Sequence, residues 1–275
     1  MLLMASQSAD GQREQRRPTQ VRIALQLYSV RDDAAKDLAG VLKQVKAMGY
    51  QGVEFAGFYG KSAEEIKRLL DENGLVACGS HTPLDDLLGE KFEKTVAFNK
   101  TIGNRYLIVP WLPPDRRKDK AAWLETAKLF NEISEKLRPH QMFTGYHNHT
   151  EEFRQSEGGT DWDIFFGNTN RRVVMQLDTG NARVAGVDVT PFVSKYPGRA
   201  RTVHLKEHSA TNEKALLGEG DVPWKTLLPL LRDVGRTEWF IVEQESYAYP
   251  PMECVAKCLV NLKRLMSEAG IQPAP

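Results

Sequence analysis

ARTVHLKEH (200–208) is a short apolar run whose second half turns polar and titratable. MFTGYHNHTEEF (142–153), VVMQLDTGN (173–181) and WFIVEQES (239–246) end the same way, on imidazoles or carboxylates. Side chains alternate with period two along a strand. Val203 and Leu205 therefore share one face, and Thr202, His204 and Lys206 the other. The same parity sets Val173, Met175 and Leu177 against Val174, Gln176 and Asp178, and Phe240 and Val242 against Ile241, Glu243 and Glu245. The apolar faces suit packing beneath helices, which turns the polar faces inward. Strand ends that point inward converge on one mouth in a parallel α/β barrel.

Working outward from these four runs, the N-terminal half supplies the missing units. VRIALQLYS (21–29), QGVEFAG (51–57), LVACGSH (75–81) and YLIVP (106–110) are strand-like. Helical patterns follow over 34–49, 62–74, 90–103 and 119–137. Ser62 with Glu65 three residues on makes a capping box, and Gly74 closes that helix. Later helices are expected at 161–167, 187–196, 223–234 and 252–268. Strand–helix units in series give a parallel sheet, and eight of them close into a ring. An open doubly wound sheet would carry a glycine-rich phosphate turn after its first strand; here that strand runs into LYSVRDD. The expected fold is α/β, a single (β/α)8 barrel over 21–270 with its site at the C-terminal ends of the strands, preceded by an arm over 1–20.

The 275 residues carry 37 basic and 36 acidic side chains, which gives no electrostatic reason to expect nucleic acid as a partner. No apolar run approaches the roughly 20 residues that span a bilayer, so no membrane partner is expected either; a homo-oligomer stays open. Cys78, Cys254 and Cys258 read as buried thiols in a reducing compartment, which places the protein in the cytoplasm. The alternative is that residues 1–20 follow a removed signal peptide, giving a periplasmic or secreted chain.

Asp178, His204 and Glu243, from separate strands, form a ligand set for one divalent cation. Unpartnered buried charges are costly, and a cation shared by two carboxylates and an imidazole removes that cost. For the fourth ligand, strand five offers His147, His149 and Glu152. An oxygen-preferring ion such as Mn²⁺ or Mg²⁺ favours Glu152, leaving His147 or His149 as general base. The competing reading is an ion-pair network of Asp178, Glu243 and Lys206 around a hydrogen-bonded His204. Tyr28, Glu54, His81 and Trp111 follow earlier strands and make a polar and aromatic rim suited to a small polyhydroxylated ligand. Asn181 and His208 complete that rim as substrate-binding candidates, and His147, His149, Glu243 and Lys206 are the catalytic candidates.

QLYSVR (26–31), GVEFAG (52–57), YHNHTEEF (146–153), LDTGN (177–181), VHLKE (203–207), GEGDVPW (218–224) and IVEQE (241–245) together resemble the xylose isomerase-like TIM barrel superfamily, the sugar phosphate isomerase/epimerase group. The resemblance covers about Val21 to Met266. It implies a divalent cation, Mn²⁺ first, with Mg²⁺, Co²⁺ and Zn²⁺ as alternatives, held by Glu, Asp, His and Glu from strands five to eight. It implies a carbohydrate substrate isomerised or epimerised through an enediolate. Asp178, His204 and Glu243 match the last three ligands, and Asn181 falls where many members have a further histidine. The chain departs from the pattern at strand five, where a histidine of YHNH stands at the usual glutamate. That departure makes elimination from a 3-keto sugar, with a histidine base, the main alternative chemistry. A non-catalytic carbohydrate-binding barrel and a multi-metal DNA-repair endonuclease are the readings from other classes; the neutral charge balance speaks against the second.

Overall fold

The computed structural model describes residues 20–274. The expected arm over 1–20 lies outside them apart from Gln20. Eight parallel strands form the sheet: β1 (Arg22–Gln26), β2 (Gly52–Phe55), β3 (Val76–His81), β4 (Tyr106–Val109), β5 (Phe143–His147), β6 (Val174–Gln176), β7 (Thr202–Leu205) and β8 (Trp239–Val242). Their spatial order is β6-β5-β4-β3-β2-β1-β8-β7, so consecutive strands are neighbours all the way round. The ring closes between β6 and β7 without a full ladder. An isolated parallel bridge pairs Asp178 with His204, and the His204 amide donates to Leu177 O at 2.8 Å. This is a nearly closed (β/α)8 barrel.

The helices lie where hydrophobic period and caps place them. Ser62 and Glu65 exchange both capping-box hydrogen bonds at the start of Ala63–Asn73, and Gly74 ends it in the left-handed conformation. The expected helix over 34–49 is instead split into Arg31–Lys36 and Leu38–Met48, because Asp37 leaves helical geometry and caps the second piece by accepting from Gly40 N. The run 21–29 leaves the sheet after Gln26, whose side chain accepts from Tyr28 N and starts a 3-10 turn over Leu27–Val30. A helix over Thr179–Val184, not foreseen, is capped by Asp178. A two-stranded ribbon pairs Gln155–Ser156 with Gly159–Thr160.

Strand parity holds. Val203, Leu205, Phe240, Val242, Val173, Met175 and Leu177 belong to the large core between barrel and helices. A separate cluster of Ala24, Cys78, Tyr106, Ile108, Phe143, Val174, Trp239 and Ile241 fills the barrel interior. Above it the interior positions become polar: Gln26, Glu54, Gln176, Thr202, His204 and Glu243 are all buried. Gly79 makes room for one of them, since a Cβ there would collide with Glu54 Oε1. All three cysteines are buried free thiols, and no helix of the described residues is long and apolar enough to cross a membrane.

Candidate metal centre and cavity

Each acid or imidazole at the polar layer is delivered by a different strand. His147 ends β5; His204 sits within β7. Glu243 follows β8 immediately, and Asp178 lies two residues beyond the end of β6. Ligand atoms of His147, Asp178, His204 and Glu243 all lie within 4.8 Å of one another. Atoms bound to one first-row cation at roughly 2.0–2.3 Å can be no more than about 4.6 Å apart, so the cluster is close to the size such an ion requires. His81, His147 and His204 form a second, overlapping group.

Hydrogen bonding shows which faces of these groups are already committed. Asp178 Oδ1 caps the helix it begins, accepting from Asn181 N at 2.6 Å; its other oxygen, Oδ2, is buried without a partner. His147 Nδ1 and His149 Nδ1 are also buried and unpartnered. Orphan polar atoms of this kind cost about 1–3 kcal/mol each, and two of them belong to residues of the cluster, His147 and Asp178. His204 is held from both sides, by Glu243 Oε2 at 2.9 Å on Nδ1 and by Glu54 Oε2 at 2.5 Å on Nε2. Glu54 in turn accepts from Gln26 Nε2 and from Gln176 Nε2, both at 2.8 Å. Its Nε2 bond to a carboxylate fixes the imidazole and leaves Nδ1 facing Asp178 and Glu243, the arrangement seen behind metal-bound histidines.

The electrostatics follow from burial and these contacts. Burial pulls the His204 imidazolium down, but Glu243 and Glu54 outweigh it and lift its pKa to about 10. Burial raises Asp178 to about 7 despite Lys206 and His204. Burial also acts against the Glu243 carboxylate, yet His204 and Lys206 hold it well below its ordinary value. His147 is driven well below the usual imidazole value by burial and by its neighbours His204 and His81, so it is kept neutral. Burial would lower Lys206, but Asp178, Glu243 and Glu245 raise it above its ordinary value. It therefore stays an ammonium, paired to Glu245 Oε1 at 2.8 Å and donating to Asn181 Oδ1 at 3.1 Å.

The polar layer opens into a cavity of about 860 Å³. Of the residues singled out in the sequence, Tyr28, His81, Trp111, His147, His149 and Glu243 line it. His81 is hydrogen-bonded to Gln176 Oε1 at 3.1 Å and stacks on His204. Trp111 is 51% exposed at the rim.

Others are placed differently from the sequence reading. Glu152 is not among the four clustered ligands. It is buried on a 3-10 turn with Oε1 accepting from Tyr146 Oη at 2.6 Å and Oε2 from His149 N at 2.8 Å, and the group from strand five that lies in the cluster is His147. Glu54, expected on the rim, is fully buried behind His204. Asn181 and His208 do not line the cavity: Asn181 braces Lys206 and Asn148 O, and His208 pairs with Asp221 at 3.5 Å in the loop after β7. Glu245, Phe58 and Phe98 line the cavity without having been singled out. The parity that selected Glu243 also selects Glu245; nothing in the local sequence marks the two phenylalanines.

The model of the xylose isomerase-like TIM barrel family matches residues 42–264. The rhizopine catabolism protein MocC of Rhizobium meliloti is 21% identical over 92% of this chain and 90% of its own length. Among solved structures, a sugar phosphate isomerase/epimerase from Parabacteroides distasonis superposes with a TM-score of 0.75 at 23% identity, covering 88% of this chain and 97% of that one. The IOLI protein, solved with a bound zinc atom, superposes with a TM-score of 0.71 at 12% identity, over 90% and 99% of the two chains. At these identities the structural likeness shows a shared fold.

Proposed function

The chain belongs to the xylose isomerase-like TIM barrel family, and from that premise we propose that it is a divalent-metal-dependent isomerase or epimerase of a keto-sugar. The observation that carries this reading is the convergence of His147, Asp178, His204 and Glu243 beneath a cavity with a polar and aromatic rim. Their donor set fits a cation, since Asp178 Oδ2 and His147 Nδ1 are buried with no hydrogen-bond partner. Two imidazoles and two carboxylates suit Mn²⁺, Co²⁺ or Zn²⁺ better than Mg²⁺, which prefers oxygen alone. When bound, such an ion would supply Lewis-acid polarisation of a substrate carbonyl and acidify the adjacent C–H.

The remaining work falls to side chains of the cavity. His149 reaches the cavity beside His147, their ring centroids 5.3 Å apart, and can take a proton from the sugar carbon. Lys206 is not among the residues lining the cavity; kept charged beside Glu245, which does line it, it favours negative charge developing in the site through its field. His149, once protonated, can return that proton to the neighbouring carbon, while Glu245 on the cavity wall holds the Lys206 ammonium at 2.8 Å. His81 binds a hydroxyl, while Tyr28 and Trp111 present aromatic faces to the sugar C–H groups. Asn181 orients Lys206 rather than touching substrate.

A specific observation also favours a second reaction of the same type. Only one glutamate, Glu243, belongs to the ligand cluster, whereas a symmetric epimerisation places one on each side of the sugar. Proton removal by His149 followed by loss of a β-substituent would make the enzyme a 3-keto-sugar lyase. Metal analysis of the purified protein, with deuterium incorporation from D₂O screened over ketoses and 3-keto-glycosides, tests both. A stoichiometric cation and exchange at a carbon next to the carbonyl are expected. A protein that binds no divalent ion at Asp178, His204 and Glu243 would overturn the proposal.

A further inference from the structure

The cavity is larger than one sugar ring requires, and one side of it is aromatic. Its volume of about 860 Å³ lies toward the upper end of the roughly 300–1,000 Å³ typical of small-molecule sites. His147 and Glu243, nearly inaccessible, mark its deep end. Away from them it is lined by Phe58, from the loop after β2, and Phe98, from the helix Lys91–Thr101. The two rings are half-buried with centroids 4.2 Å apart. Trp111, from the loop after β4, lines the same space.

Phe58 is presented by a turn that costs energy. Tyr59 adopts φ +53 between Gly57 and Gly60, a conformation uncommon for a bulky side chain. The turn is closed by Lys61 N donating to Phe58 O at 2.9 Å, and the Tyr59 ring packs on the core. Strain of this kind persists where the surroundings over-determine it, and here it holds Phe58 at the cavity wall.

We propose that the substrate is a glycoside rather than a free monosaccharide, with the reacting sugar over His147 and Glu243 and a second ring against Phe58, Phe98 and Trp111. This rests on the proposed function and narrows its substrate class. The shared chemistry of the second ring is a flat apolar face, which an aryl group and the C–H face of a pyranose both offer. Ring-on-ring contacts of this sort are worth about three- to tenfold in affinity.

The test titrates the full-length, metal-loaded protein calorimetrically with methyl β-glucopyranoside, phenyl β-glucopyranoside and cellobiose, and repeats the series after chelation. The two-ring ligands are expected to bind about three- to tenfold more tightly, with saturation-transfer NMR marking the second ring. A phenyl advantage over cellobiose identifies an aryl aglycone; the reverse identifies a sugar. Phe58→Leu keeps apolar bulk without a flat face, and it should erase the advantage while leaving the methyl glucoside unchanged. Phe98→Leu gives the same readout from an independent element, with circular dichroism reporting the fold of each. Equal affinity for one- and two-ring ligands, absence of binding by all three, or an advantage that survives both substitutions overturns the proposal. Persistence of the advantage in chelator supports the stacking even if the keto-sugar reading fails.

Discussion

Glu54 on β2 and His204 on β7 meet across the barrel interior, carboxylate oxygen to ring nitrogen at 2.5 Å. They are 150 positions apart in the chain, so this contact exists only because the sheet closes. It sets which ring nitrogen of His204 faces the cluster. Glu54→Gln keeps the volume and removes the charge that pins the ring. Affinity for Mn²⁺ or Zn²⁺, read by calorimetry, should fall by about 10–100-fold with the fold retained. Unaltered affinity would show that Glu54 is a bystander.

Asp178 separates stability from binding. Burial lifts its pKa to about 7, and Oδ2 has no partner, so its negative charge is unfavourable in the metal-free protein. Asp178→Asn retains an oxygen to accept from Asn181 N. The metal-free variant should melt at the same temperature or up to about 2–4 °C higher, about 1 kcal/mol at this size, while losing the cation. A variant that binds metal normally would remove Asp178 from the ligand set.

His147 and His149 divide the labour at the end of β5. His147→Gln should release the metal, and His149→Gln should retain it but slow deuterium exchange by about 10²–10⁴-fold, the range for a lost general base. Inductively coupled plasma mass spectrometry alongside the exchange assay distinguishes them. If His149→Gln loses metal and His147→Gln does not, the roles are reversed.

The pH dependence has a definite sign. His204 is raised from 6.5 to about 10 and Asp178 from 3.8 to about 7. A group whose folded pKa is raised contributes stability that is complete below its unfolded pKa and is lost as pH rises through the folded one. The metal-free protein thus loses the Asp178 contribution between about pH 4 and 7, and that of His204 between about 6.5 and 10. A cation competes with those same protons, so the gap in melting temperature between loaded and metal-free protein should widen from pH 5.5 to 8.5. A gap constant over this range would mean that the ion sits elsewhere.

Most of this architecture was written in short-range pattern. Parity alone placed Asp178, His204 and Glu243 inward, because each lies in or just beyond a run whose other face is wholly apolar. His147 satisfied the same parity, and preferring Glu152 meant stepping off the strand into a loop. In that loop Tyr146 Oη and His149 N each donate to a Glu152 oxygen. What pattern does not carry is partnership at long range. Glu54 was legible as polar and strand-borne, yet its place behind His204 depends on the gap left by Gly79 and on Gln26 and Gln176 from two other strands. Phe58 and Phe98 look like ordinary core residues until the loop after β2 and the helix Lys91–Thr101 bring them together at the cavity.

Asp178 and His204 are also the residues whose bridge joins β6 to β7, the one junction of the barrel among the described residues that has a single bridge in place of a ladder. The hoop is thus fastened at the point where the chemistry is proposed to occur. An ion drawing Asp178 and His204 together would act as a rivet, and slower hydrogen exchange of the His204 amide, bonded to Leu177 O, would register it. The backbone already fastens this junction through the bridge and the His204 amide, so a bound ion would add a side-chain fastening to a seam that is closed without it.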